Sequence, residues 1–233
     1  MNGPVLQCEA VRFTYASSGF GLSIPSFQVS AGEAVFLEGE SGSGKSTALN
    51  LMAGVLRADQ GQVRLMGQNL RDLSESRVDA LRVENIGFIF QQFNVLPYLS
   101  VIDNVTLPCR FSKSRTQRAL REFQSVNAAA QALLNRLGMG EYITAPVNAL
   151  SVGQQQRVAA ARAFIGNPAL IIADEPTSAL DARHQAHFAH LLVEQAGQQG
   201  SAVLLVSHDP ALATHCSRRE SMAQWRVSTS AAS

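Results

Sequence analysis

Cysteine is scarce in this chain: Cys8, Cys109 and Cys216 lie far apart and form no C-x-x-C pair. That excludes a disulfide scaffold and suits a reduced compartment such as the cytosol. An excess of one charge is lacking too. Nineteen basic and eighteen acidic side chains leave a formal net charge of +1, so no broad field to collect nucleic acid is expected. No apolar run approaches the ~20 residues needed to span a bilayer, and Met1-Asn2-Gly3-Pro4 shows no basic stretch leading into an apolar core. Any membrane role is therefore expected to be borrowed from a partner. No internal repeat is visible. What the chain does have is apolar mass: 46% of its 233 residues are hydrophobic and 16% charged, enough for one α/β core with a modest insertion.

The pattern of apolar residues divides the chain. Val5 to Tyr15 and Leu22 to Val29 read as strands of an antiparallel sheet, the second interrupted by Pro25 in the manner of an edge strand. Ala34 to Glu38 is a short strand running into a glycine-rich loop, and Lys45 to Leu56 is helical, with Leu49, Met52 and Ala53 on one face. Val63 to Met66 and Ile86 to Phe90 read as strands around a polar helix, Glu75 to Val83. From Leu96 to Leu150 helical periodicity replaces strand signals, most strongly over Ser114 to Leu137, where Gly138 ends it. Then come helix Gly153 to Ile165, strand Ala169 to Ala173, helix Ala182 to Ala196 and strand Ala202 to Val206. Both of these strands are unbroken apolar runs, as in a parallel sheet covered by helices on both faces. The reading is one domain, with 1–95 and 151–225 as its core, 96–150 as a helical insertion and 226–233 as a frayed tail.

Gly39-x-x-x-x-Gly44-Lys45-Ser46 follows a strand and opens a helix, the context a phosphate-binding loop requires. Glycines at 39, 42 and 44, with Ser41 and Ser43 between them, let successive N–H groups turn toward phosphate oxygens at the positive end of a helix. Lys45 is then placed for the β- and γ-phosphates, the Ser46 hydroxyl for Mg²⁺, and Thr47 for the α-phosphate. Tyr15, at a strand end, can stack on adenine. Leu170-Ile171-Ile172-Ala173-Asp174-Glu175 delivers two acids to the carboxyl edge of a buried strand, where open α/β sheets bind ligands. Asp174 suits Mg²⁺, and Glu175 suits a general base toward an attacking water. Gln91, with Gln92 beside it, can touch the metal or that water. His208, after strand Val203 to Val206, can sense the γ-phosphate. Ser207, His208 and Asp209 are consecutive and cannot fold into a hydrolase triad, while Asp209-Pro210 reads as a cap and first turn.

Ser151-Val152-Gly153-Gln154 is a capping box opening the next helix, and its capped N-terminus is also an anion site. One chain is ill-suited to close both this segment and the first glycine loop on a single nucleotide. If the second segment closes on a nucleotide held by another copy, ATP joins two protomers.

The order of Tyr15, the glycine loop, Gln91, Leu150-Ser151-Val152-Gly153-Gln154, Asp174-Glu175, Ser178-Ala179-Leu180-Asp181 and His208 resembles the nucleotide-binding subunits of ABC transporters over nearly the whole chain. Phe90-Gln91-Gln92-Phe93-Asn94-Val95-Leu96-Pro97 and Gly153-Gln154-Gln155-Gln156-Arg157 look like the lipoprotein-releasing and macrolide-export ATPases within that superfamily. The resemblance implies a P-loop NTPase (RecA-like) α/β core with an antiparallel β subdomain and an inserted α-helical subdomain. It implies ATP and Mg²⁺ held by a head-to-tail homodimer, each glycine loop facing the partner's Ser151 to Gln154 segment, with Asp181 in the loop joining the two sites. A membrane permease subunit would turn the stroke into export or lipoprotein extraction, holding the chain on the cytoplasmic face. Its short docking helix would meet Phe93, Leu96, Tyr98, Leu99 and Val101. The alternative is a non-transporting ATPase that regulates an envelope partner with the same catalytic residues.

Two departures stand out. Val152 replaces the family's usual glycine, and Ser221-Met222-Ala223-Gln224-Trp225-Arg226 stands where a charged, glycine-bearing turn is usual. Separately, Lys113, Arg115, Arg118 and Arg121 fall at helical spacing, expected as a solvated face or a stripe toward lipid headgroups or an acidic partner.

Overall fold

The computed structural model describes residues 3–15, 20–178 and 181–228. Two sheets organise it. The first is antiparallel, in the order β10-β2-β1-β4-β5, built from β1 (Pro4–Thr14), β2 (Phe20–Ser30), β4 (Gln60–Leu65), β5 (Gln68–Asn69) and β10 (Arg226–Ser228). The second is parallel, in the order β6-β7-β8-β3-β9, built from β3 (Ala34–Glu38), β6 (Ile86–Ile89), β7 (Leu170–Asp174), β8 (Ala202–Ser207) and β9 (Arg218–Ser221). The helices are α1 (Lys45–Met52), α2 (Glu75–Asn85), α3 (Val101–Phe111), α4 (Lys113–Ala119), α5 (Val126–Arg136), α6 (Val152–Phe164) and α7 (Ala182–Gln199).

Period-two alternation sorts the parallel strands onto two cores. Phe36, Ile171, Ala173, Val203 and Leu205 face the core shared with α3, α5, α6 and α7. Val35, Leu37, Leu170, Ile172, Leu204 and Val206 face the core shared with α1 and the antiparallel sheet. Every residue of β8 is buried, which explains its unbroken apolar run. In the antiparallel sheet the buried positions of β1 switch from Leu6 and Cys8 to Val11. The switch occurs at Ala10, which holds a left-handed φ of 48°. Gly61 lies against it so closely that a Cβ would come 2.2 Å from the Ala10 carbonyl oxygen. Pro25 lies beyond β10, which pairs only with Phe20 to Leu22, so its missing N–H costs no bond on that side.

Several boundaries differ from expectation. α1 stops at Met52 rather than Leu56 because Gly54 takes φ 71°. The helical stretch 114–137 is two helices, α4 and α5, the second opened by Ser125, which accepts from the Ala128 N–H. Arg226 to Ser228, expected to fray, pair with β2, while 229–233 lie outside the described residues. β9 belongs to one sheet and β10 to the other, and buried Met222 and Trp225 fill the crossing.

The basic stripe is overturned. Arg115 is 1% exposed and donates to the carbonyls of Ala163, Ile165 and Ile86, at 3.3, 3.1 and 2.5 Å. Burial, with the nearby charge of Arg118, pushes its guanidinium down to about 10, still charged near neutrality. Arg118 donates to Gly166 and Glu84 carbonyls. Ala163 and Ile165 lie at the carboxyl end of α6, where the helix dipole favours a cation. The two arginines thus latch the insertion to the core, and only Lys113 and Arg121 remain exposed.

Arg218 does similar work at the other edge, donating to Glu33 at 2.7 Å and to the Gln28 carbonyl at 2.5 Å. Burial raises the Glu33 carboxyl, but hydrogen bonds from Arg218 and the Ser30 N–H outweigh it and hold the group below its usual range. A depressed carboxylate contributes stability above its unfolded value, near pH 4.3, which is lost as pH falls through the lower folded value. Arg218→Met is therefore expected to cost on the order of 1 kcal/mol at neutral pH. It should also flatten the acid-side decline of the urea midpoint between about pH 5 and 3.

Candidate active site

The strands β3, β7 and β8 end together at one edge, and an open cleft of about 810 Å³ lies there. Tyr15, Lys45, Ser46, Thr47, Gln91, Asp174, Glu175 and His208 all line it. Residues far apart in sequence thus meet at one cleft. Ser41, Gly42 and Gly44 line it too. Ser178, which opens the Ser178 to Asp181 motif, does as well, and so does Phe20, which sequence reasoning overlooked. Phe20 had a signal: it begins β2 beside the glycine loop, and a Cβ on Gly44 would land 2.6 Å from its ring. Gly44 has φ 96° and Gly42 φ 76°, a region L side chains avoid. A Cβ on Gly39 would sit 2.7 Å from Ser43 Oγ. That hydroxyl is buried without a hydrogen-bond partner among the described residues. The loop's close curl, with the N–H groups of α1 beyond it, is the shape a phosphate chain fills.

Charge is concentrated at Glu175. Its backbone is held at φ 45°, with its N–H donating to the Val206 carbonyl at 2.9 Å. Its carboxylate pairs with Lys45 Nζ at 3.0 Å and accepts from Ser207 Oγ at 3.0 Å and the His208 N–H at 3.1 Å. His208 Nδ1 lies 2.9 Å away. Burial raises this carboxyl, but the bonds from His208, Lys45 and Ser207 outweigh it and hold it below the usual range. Asp174 is pushed the other way, by burial and then by the charge of Glu175, against the hydrogen bond from Ser46 at 3.4 Å. A half-buried carboxylate beside a hydroxyl offers the oxygen donors that a hard divalent cation takes. Lys45 also donates to the carbonyls of Gly39 and Glu40, at 2.6 and 3.1 Å. Tyr15 stands edge-on to Phe13, with centroids 4.7 Å apart.

The second segment is elsewhere. Ser151, Gly153, Gln154 and Asp181 are not among the residues lining the cleft. Ser151 caps α6 in a reciprocal capping box with Gln154, and Val152 beside it is 50% exposed. Asp181 caps α7, accepting from the His184 N–H at 3.1 Å. Ala179 and Leu180 lie outside the described residues. Of the expected docking residues, Phe93 and Val101 belong to the core, whereas Tyr98 is 78% exposed. Buried Asn104 shapes the loop between them, bonding both the N–H and the carbonyl of Leu96.

A family model described as ABC transporter matches residues 22–178, a span running from β2 through the glycine loop to the loop after Glu175. The chain belongs to the ABC transporter family. The lipoprotein-releasing system ATP-binding protein LolD 2 of Rhodospirillum rubrum is 40% identical over 202 residues, covering 87% of this chain and 85% of that protein. The macrolide export ATP-binding/permease protein MacB of Syntrophobacter fumaroxidans is 38% identical over 218 residues. The match covers 92% of this chain but only 30% of that protein. A dimeric post-hydrolysis structure of the ATP-binding cassette MJ0796, bound to ADP and Pi, matches with a TM-score of 0.74 at 32% identity, covering 93% of each chain. The cassette is thus an ATP-binding, ATP-hydrolysing subunit of an ABC transporter, with the mixed α/β architecture of its structural relatives. No helix among the described residues is long and apolar enough to cross a membrane.

Proposed function

We propose that two copies of this cassette clasp two ATP molecules head to tail and that hydrolysis reopens them to drive a membrane permease subunit. One observation carries the reading: the capped N-terminus of α6 contributes no lining residue to its own cleft, and Val152 beside it is exposed. A second copy supplies what that anion-binding end lacks. The dimeric form of MJ0796, bound to ADP and Pi, supports pairing of two cassettes by analogy.

Within each half-site, the glycine loop holds the phosphates and Tyr15 stacks on adenine. Ser46, Asp174 and Gln91 would hold Mg²⁺, which would supply positive charge to the phosphate chain. Lys45 leaves Glu175 for those oxygens, freeing the carboxylate to accept a proton from water. The water oxygen bonds to the γ-phosphorus as the bridging P–O bond breaks, and ADP departs. With Nδ1–H directed at Glu175, a neutral His208 presents Nε2 as an acceptor. Donation to the γ-phosphate therefore needs the imidazolium or release of Nδ1. The partner, by analogy with the LolD and MacB names, is a permease of lipoprotein release or export type. It would hold the cassette at the cytoplasmic face, with Leu96, Tyr98 and Leu99 at the contact.

Ser151→Arg tests the shared site. Isolated subunits should bind ATP normally, because the cleft is untouched. ATP-induced dimerisation in a Glu175→Gln background should be lost when followed by light scattering. A dimer of undiminished strength would count against the arrangement.

A further inference from the structure

Two glutamines from different helices grip consecutive carbonyls just after Glu175. Gln156 of α6 is 1% exposed and its Nε2 donates to the Pro176 carbonyl. Gln185 of α7 donates through Nε2 to the Thr177 carbonyl at 3.2 Å. Between them the chain is tightly turned: the Ser178 N–H donates to the Glu175 carbonyl at 3.2 Å, and Glu175 sits at φ 45°. A bulky residue in that region is strained and persists only where its surroundings over-determine it. The two glutamines are part of what determines it.

The origin of those helices matters. α6 is opened by Ser151, and Gln156 lies five residues along it, about 7.5 Å down the axis. α7 is opened by Asp181, and Gln185 is one turn in. Both helix starts are the ends assigned above to the partner's nucleotide and to the loop joining the two sites. Gln156 is also a poor choice for packing alone. Its Oε1 is buried with no hydrogen-bond partner among the described residues, a desolvation cost that an apolar side chain of similar length would avoid.

We propose that Gln156, assisted by Gln185, is a positioning residue that ties the partner-facing ends of α6 and α7 to Glu175 of the same subunit. The inference rests on the shared-site reading. When the start of α6 closes on the partner's γ-phosphate, the shift is carried along a rigid helix to the Pro176 carbonyl and so to the general base. Occupancy of one nucleotide site thereby sets the base in the other, and the two sites fire together.

The test is Gln156→Met, which keeps side-chain length and removes the donor. The thermal midpoint should stay near wild type, because one unpartnered buried oxygen replaces another. ATP binding to the monomer should be unchanged. Turnover should fall about tenfold, in line with a small misplacement of a reacting group, and the Hill coefficient for ATP should drop toward 1. Because the effect runs through Glu175, adding Gln156→Met to Glu175→Gln should leave the residual turnover where it was. An equal fall in both backgrounds, or unaltered turnover and Hill coefficient in the single variant, overturns the proposal. Should Gln156→Met fail to fold, Gln185→Met decides by the same two readings, with a smaller expected loss. Failure of Glu175→Gln alone to dimerise with ATP would remove the shared site and the relay with it. A normal dimer together with an unaltered Gln156→Met removes the relay only.

Discussion

Glu175→Gln is expected to bind ATP at least as well as the wild type, to hydrolyse it roughly 10²- to 10⁴-fold more slowly, and to accumulate as an ATP-bound dimer. The carboxylate is held ionised by Lys45, Ser207 and His208, so it is ready to accept a proton near neutral pH. An amide of the same shape cannot take that proton. It also cannot hold Lys45 as an ion pair, which leaves the lysine freer to serve the phosphates. Single-turnover kinetics and light scattering with MgATP check both halves. Turnover at the wild-type rate would remove Glu175 from the role.

Arg115→Met should cost about 3 kcal/mol or more, because three buried carbonyls lose their donor at once. For a chain of this size that corresponds to a fall of roughly 6–12 °C in the thermal midpoint. The loss should be local at first: the α3 to α5 insertion loosens from β6 and from the end of α6, and amide exchange there should rise before the central strands open. Lys113→Glu and Arg121→Glu, exposed on the same helical stretch, should stay within about 0.5 kcal/mol of wild type. Equal effects from all three substitutions would mean that Arg115 is no latch.

Those four basic residues mark where the sequence stopped being readable. Spacing alone put Lys113, Arg115, Arg118 and Arg121 on one exposed face, because charge periodicity is blind to carbonyls supplied by distant elements. The acceptors of Arg115 come from the end of α6 and the start of β6, and no local pattern announces them. Short-range grammar fared better. The glycine loop, the capping box at Ser151 and the acids ending β7 each carry their own context, and the parallel strands were visible as continuous apolar runs. Helix ends were missed where one glycine decided them, as at Gly54. The glutamine clamp on Pro176 and Thr177 was invisible for the same reason as the arginine latch: a glutamine in a polar helix looks solvated until the loop it reaches is known.

The strand feeding the phosphate loop has an awkward place in the order of synthesis. β3 is made long before its two neighbours: Ala34 lies beside Val203 and Val35 beside Arg218. While the ribosome works through the intervening chain, at about 5–20 residues per second, β3 lacks both strands that flank it and the loop beyond it is unbraced on either side. A nascent cassette therefore cannot acquire its ligand piecemeal, and early release products should be unable to retain nucleotide. Synthesis of β8 and β9, rather than availability of ATP, gates the birth of a competent subunit.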